Sequence, residues 1–269
     1  MLSAAELQSA LAPSWSRIQV VAETGSTNAD LLGDSAAPDR SVLVAERQTA
    51  GRGRLDRTWT APPGVSLTFS VLIRPQPATS TWGWLPLLTG LALQEAVVDV
   101  TGLPAGLKWP NDLLVGPESG KAAGILAQTN GPAVVIGIGL NVSTAADQLP
   151  PPVGGAQPAL RATSLALCGA RELDRTVLLT AILTRLHERL TEWTDAGGDA
   201  QACGLASAYA RACLTVGQQV AVSTTDGRVL TGTATGLDRT GRLLVASGGT
   251  TVAVGAGDVQ HLRPAAPPG

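Results

Sequence analysis

The chain has 269 residues, 44% hydrophobic and 15% charged, with a formal net charge of −2. That is apolar material for one large domain plus a small one, and the near-neutral balance excludes a broad basic field for nucleic acid. Three cysteines without a CxxC pair and two distant histidines, His187 and His261, exclude a disulfide framework and a histidine-cysteine metal site; the histidines read as solvated surface side chains.

In chain order, MLSAAELQSAL lacks a basic leader segment and reads as a short amphipathic helix. TGSTNADLL (24–32) places Ser26, Thr27 and Asn28 at a helix start, where capping uses one hydroxyl and leaves the other polar groups for a ligand. After the apolar run SVLVAE (41–46) comes GRGRLDRTW (51–59). Gly51 and Gly53 allow close backbone approach, and Arg52, Arg54 and Arg57 supply charge-assisted bonds to an anion. Taken alone, this loop is equally a solvated basic turn. Trp59 adds a flat apolar wall.

VSLTFSVLI predicts a strand with Val65, Leu67, Phe69, Val71 and Ile73 on one face and a partly polar second face. WGWLPLLTGLALQEAVVDVTG predicts a helix ending at Gly102; Gly90, Gln94 and Glu95 interrupt it too soon for a membrane span. In LKWPND (107–112), Pro110 fixes a turn that projects Lys108, Asn111 and Asp112 towards one site, although an ordinary turn has the same composition. GPESGKAAG (116–124) is one residue short of a P-loop and has Ala122 where a hydroxyl belongs. PAVVIGIGLNV (132–142) predicts a strand buried on both faces, without the third glycine of a dinucleotide fingerprint.

DQLPPPVGGAQP (147–158) reads as loop. DRTVLLTAILTRLHERLTEWTD (174–195) is the clearest helix, with Val177, Ala181, Leu186, Leu190 and Trp193 approximating one face, widened by Leu178 and Leu179. From 214 onward, short strands separated by DG, DRTG and SGG turns predict a small all-β barrel, so a boundary falls near 213. The tail 264–269 reads as disordered. Seventeen basic residues are arginine and two are lysine, Lys108 and Lys121, close together in sequence. Biased coding explains the scarcity; a need for a compact point charge at these two sites explains it too.

GSTN (25–28), AERQTAGRGR followed by R.W (45–59), LKWPNDLLV (107–115), GKAAGIL (120–126) and GIGLNV (137–142), in that order, resemble the biotin protein ligase family from about residue 17 to residue 263. The resemblance implies an α+β fold: a class II synthetase-like mixed sheet with flanking helices in residues 1–213, and an SH3-like barrel in 214–263. It implies that biotin and MgATP give biotinyl-5′-adenylate and pyrophosphate, after which a lysine of a biotin carboxyl carrier protein attacks the anhydride. The family roles carried over make Ser26, Thr27 and Asn28 ligands of the biotin head, with Gln48 and Gly51 beside them. Arg52, Arg54 and Arg57 become the phosphate loop, and Trp59 the aromatic cover of the adenylate. Lys121 falls at the biotin carboxylate and α-phosphate, and Lys108, Asn111 and Asp112 in the adenylation centre. Gly137, Gly139 and Asn141 fall along the biotin tail and adenine. Asp56 departs from the pattern, since the family usually has glycine there; its carboxylate is expected to turn away from the phosphates.

A lipoate or octanoate transferase of the same fold is the alternative enzyme, and a non-enzymatic binding module the alternative of another class. About 25 residues precede Ser26, fewer than the winged-helix domain of repressor members needs, so a catalytic-only form without operator binding is expected. The expected setting is the cytoplasm, as a monomer or homodimer.

Overall fold

A computed structural model of the chain describes residues 1–54, 57–151, 160–223, 229–255 and 258–261. The expected orientation of Asp56, most of the loop at 147–158, the Asp226–Gly227 turn and the tail at 264–269 lie outside these residues.

A seven-stranded mixed sheet carries the larger part. Its strands are β1 (Arg17–Thr24), β2 (Ser41–Gln48), β3 (Ser66–Ile73), β4 (Ala105–Lys108), β5 (Asp112–Val115), β6 (Gly120–Asn130) and β7 (Ala133–Asn141), in the spatial order β1-β2-β3-β7-β6-β5-β4. β1 and β2 are parallel, and every other neighbouring pair is antiparallel. The main core fills one face, beneath α1 (Ala4–Leu11), α3 (Trp84–Thr101), α4 (Arg175–Asp195) and α5 (Leu205–Ala212). On the other face α2 (Thr27–Gly33) covers β2, β3 and β7, closing a smaller cluster of Leu31, Leu43, Leu72 and Val135. The rest of that second face is where the site lies.

The second module is a five-stranded antiparallel sheet of β8 (Gln219–Ser223), β9 (Val229–Leu237), β10 (Leu243–Ser247), β11 (Thr250–Val254) and β12 (Asp258–His261), in the order β11-β10-β9-β8-β12. This is the α+β architecture expected from the sequence. Among the described residues no helix is long and apolar enough to cross a membrane.

β3 has the expected polar alternates, Ser66, Thr68 and Ser70, and is buried throughout. Two expectations change. In α4 the packed stripe is Leu178, Leu179, Ile182, Leu183, Leu186, Leu190 and Trp193, while Val177 is 45% exposed. The stripe starts one position later than the sequence suggested, with Val177 in the first turn, its N–H held by the Asp174 cap. Neither histidine is a solvated surface group: His187 contacts Arg40, and His261 lies 3.0 Å from Thr215 Oγ1. α3, in contrast, is apolar nearly all round, as a helix must be when it is wedged between sheet and helices. It stops at Gly102, whose φ of 71° forms the left-handed cap.

Candidate active site

Residues directly opposite one another in a sheet share a face. One such row crosses the sheet from Thr68 on β3 to Gly139 on β7, Gly124 on β6, Asp112 on β5 and Lys108 on β4. A second row, two residues along, pairs Ser70 with Gly137 and Gly137 with Leu126. GIGLN thus alternates as a strand should. Ile136, Ile138 and Leu140 enter the core, while Gly137, Gly139 and Asn141 line the other face. The glycines make a trough in that face.

At one end of the trough stands a polar cluster. Ser26 caps α2, its hydroxyl accepting from Ala29 N at 3.5 Å. Thr27 donates through its backbone N–H and hydroxyl to Gln48 Oε1, at 2.8 and 3.0 Å, and its hydroxyl meets Ser70 Oγ at 2.6 Å. Ser70 donates to Asn28 Oδ1 at 2.6 Å, and the Asn28 amide donates to Gln128 Oε1 at 2.8 Å. Asn28 lies over Gly137, where a Cβ would overlap its side-chain oxygen. This chain of partners gives most of the buried polar atoms a hydrogen bond. Ser70 and Gln128 were not picked out from the sequence; the signal available was a hydroxyl on the second face of an otherwise apolar strand.

The GRGR loop folds back on itself. Arg52 and Thr58 form a bridge, Gly53 N donates to Arg57 O at 2.6 Å, and Trp59 N donates to Gly51 O at 3.0 Å. Gly51 is required by close approach: a Cβ there would overlap the Trp59 carbonyl oxygen and lie 2.7 Å from Gln48 Nε2. The hairpin sets the Trp59 indole on the trough floor, where a Cβ at Gly139 would overlap it and one at Gly124 would touch it at 3.5 Å. Trp59 Nε1 is buried there without a hydrogen-bond partner. Arg54 reaches Asn111 Oδ1 at 3.5 Å, whereas Arg52 and Arg57 stay exposed on the hairpin. Open space adjoins the Gln48 end, a hollow of about 650 Å³ bordered by Arg47, Thr49, Thr60 and Pro62.

The other end is charged. Lys121 belongs to β6, and a β-bulge opposite Leu113 and Leu114 offsets the alternation of its strand. Lys121, three residues before Gly124, therefore shares its face instead of opposing it. Its ammonium lies 2.6 Å from Asp112 Oδ1 in a mostly buried pair, with side chains 27% and 11% exposed. Asn111 is anchored by its amide to Ile125 O at 3.2 Å. Asn141, 5% exposed, donates to Thr163 O at 3.0 Å, and Lys121 N and O pair with the same segment through Arg161 O and Thr163 N. Nearly all the sequence-selected residues thus meet on one face of one sheet. Among the described residues, no group of three or more His, Cys, Asp or Glu side chains could hold a metal ion.

Comparison with known proteins gives the lineage. Residues 18–142 match the biotin/lipoate A/B protein ligase family, and residues 215–262 match the biotin protein ligase C-terminal domain. The chain is 41% identical over 256 residues to a biotin–[acetyl-CoA-carboxylase] ligase of Mycobacterium tuberculosis, covering 93% of this chain and 90% of that one. The chain belongs to the biotin protein ligase family. It is also 31% identical to the bifunctional ligase/repressor BirA of Bacillus spizizenii, of which it covers 54%. Among solved structures, the family member from Aquifex aeolicus in complex with biotin and ATP superposes with a TM-score of 0.74 at 28% identity, covering 93% of this chain and all of that one.

Proposed function

We propose that the chain is an ATP-dependent biotin protein ligase that forms biotinyl-5′-adenylate and passes biotin to a lysine of a carboxylase's biotin carboxyl carrier protein. The observation that carries this reading is the trough itself. A glycine floor joins the neutral hydrogen-bonding cluster around Thr27 and Asn28 to the cationic end at Lys121 and Arg54. A biotin molecule has that polarity, with a ureido ring at one end and a carboxylate at the other.

In this reading Ser26, Thr27, Asn28 and Gln48 bind the ureido ring by exchanging some of their mutual hydrogen bonds for ligand ones. Gly137 and Gly139 let the molecule lie against the backbone. The Trp59 indole has to leave Gly139 to admit it, and the move relieves an unsatisfied buried N–H that costs about 1–3 kcal/mol. The indole then covers the ligand.

The biotin carboxylate attacks the α-phosphorus of ATP, forming the carboxyl–phosphorus bond while the α–β bridging bond breaks and pyrophosphate departs. Negative charge accumulates on phosphate oxygens. Lys121 offsets it from beneath and Arg54 from the loop, with Arg52 and Arg57 closing over the departing phosphates. Asp112 aims the Lys121 ammonium, and Lys108 and Asn111 border the nucleotide. Mg²⁺ enters with the triphosphate as MgATP, most of its ligands being phosphate and water oxygens. This suits a site that offers Asp112 already committed to Lys121. In the second step the carrier's lysine attacks the acyl carbon and AMP leaves. No protein nucleophile is needed; positioning and charge do the chemistry. Three free cysteines are compatible with the reducing cytoplasm as the setting.

ATP–pyrophosphate exchange tests the reading. Exchange stimulated by biotin, with a carrier domain gaining the mass of one biotin, supports it; exchange stimulated by lipoate or octanoate instead would overturn it.

A further inference from the structure

The turn that carries Lys108, Asn111 and Asp112 lies at the open edge of the large sheet, because β4 is the last strand. Among the described residues no further strand of that sheet pairs with its outer side. The chain entering the second module does so instead. Leu214 N donates to Leu107 O at 2.8 Å, and Leu107 pairs in parallel with Cys213. The next donor along the edge, Trp109 N, is taken by a side chain: it donates to Thr215 Oγ1 at 3.0 Å. Thr215 is fully buried, and its hydroxyl lies 3.0 Å from His261 Nε2 on β12.

The hydroxyl has one proton to give. Accepting from Trp109, it is satisfied when it donates that proton to a neutral His261. Burial, and behind it the Lys108 charge, depress the imidazole's pKa from 6.5 to about 4, which keeps it neutral. The same turn is gripped a second time. The Trp109 indole is 1% exposed and donates to Gly241 O at 3.3 Å, in the β9–β10 turn, which the Asp238 carboxylate braces by accepting from Thr240 N and Arg242 N.

We infer that Thr215 and His261 are positioning residues for adenylation: through the Trp109 backbone they hold the 108–112 turn so that Asn111 and Asp112 stay aligned with Arg54 and Lys121. The inference rests on the reading above of these residues as the nucleotide end. It makes the second module part of the active site's support, although its side chains stay outside the trough residues described above.

The clamp sits at the Lys108 end of the row, far from the Thr27–Gln48 cluster, so its loss must separate the two substrates. Thr215→Val keeps the shape and removes the hydroxyl. It should raise KM for ATP roughly tenfold, while KM for biotin stays within about twofold. Thr215→Ser should restore the wild-type values. Thermal unfolding of each variant reports whether it is folded, and His261→Leu gives the same split by removing the acceptor should the valine variant not fold. A valine variant with wild-type constants, a serine variant without rescue, or equal losses for biotin and ATP would each overturn the clamp. A wild-type chain without biotin-dependent exchange would overturn the functional reading and the clamp with it, whereas an active wild type with an unaffected Thr215→Val would overturn the clamp alone.

Discussion

The Lys121 ammonium meets the Asp112 carboxylate at 2.6 Å because a bulge in β6 turns Lys121 onto the face that Asp112 occupies. The pair is mostly buried, and at reduced dielectric electrostatic effects exceed those in water. Lys121→Ala should lower biotin-dependent pyrophosphate exchange at least ~100-fold, about 3 kcal/mol of transition-state stabilisation. It should also leave Asp112 without its cation and lower the unfolding temperature by a few degrees. Exchange within about threefold of wild type would remove Lys121 from the chemistry.

At Gly139 the Trp59 indole occupies the space a Cβ would fill. Gly139→Ala should weaken biotin binding more than about tenfold, or about 1.4 kcal/mol, in calorimetric titration. Combining it with Trp59→Ala separates two causes. If the new methyl only displaces the indole, the double variant matches Trp59→Ala alone; if the methyl blocks the floor itself, the loss persists. We expect persistence, and wild-type affinity in Gly139→Ala would refute the floor assignment.

Arg175 and Glu46 join the start of α4 to β2 by two bonds, at 2.7 and 3.2 Å, with side chains 15% and 10% exposed. Burial opposes ionisation of Glu46, but hydrogen bonds from Arg175 and Leu2 N and the Arg175 charge outweigh it and lower its pKa. Arg175→Met strands the carboxylate and should cost about 3–5 kcal/mol in urea unfolding, while Glu46→Gln with Arg175→Met should recover much of that. A single-variant cost below about 1 kcal/mol would mean that water reaches the pair freely.

His261 gives a distinct pH signature. Its folded pKa of about 4 lies below the ordinary 6.5, so between those values the unfolded chain holds a proton that the folded chain does not. Its contribution to stability is therefore complete above 6.5 and declines as pH falls towards 4. Carboxylates such as Asp174, lowered below 3.8 by the N–H groups of Val177 and Thr176, lose theirs only in more acidic solution. Between pH 7.5 and 5, wild type should lose about 1–2 kcal/mol more than His261→Gln, after discounting for solvent screening. Parallel stability curves would show that the imidazole titrates alike in both states. His187, also lowered by burial and by Arg40, acts in the same direction in both proteins and cancels.

Periodicity and turn chemistry are local, and they were legible in the sequence. The buried run of β7, the α3 stop at Gly102, a helix start at residues 26–28, the close-approach glycines and the short strands after 213 follow from neighbouring residues alone. The tertiary structure decided which residues stand together. Gly139, Gly124, Asp112 and Lys108 form a row only through the register of four strands, and a one-residue slip would turn Gly139 into the core. The bulge that re-aims Lys121 has no signature along its own strand. Ser70, Gln128, Thr215 and His261 look unremarkable in sequence because their partners, Asn28, Trp109 and one another, lie on other elements. A hydrogen bond between distant segments depends on the coordinates of both ends, and only the packed sheet fixes those together.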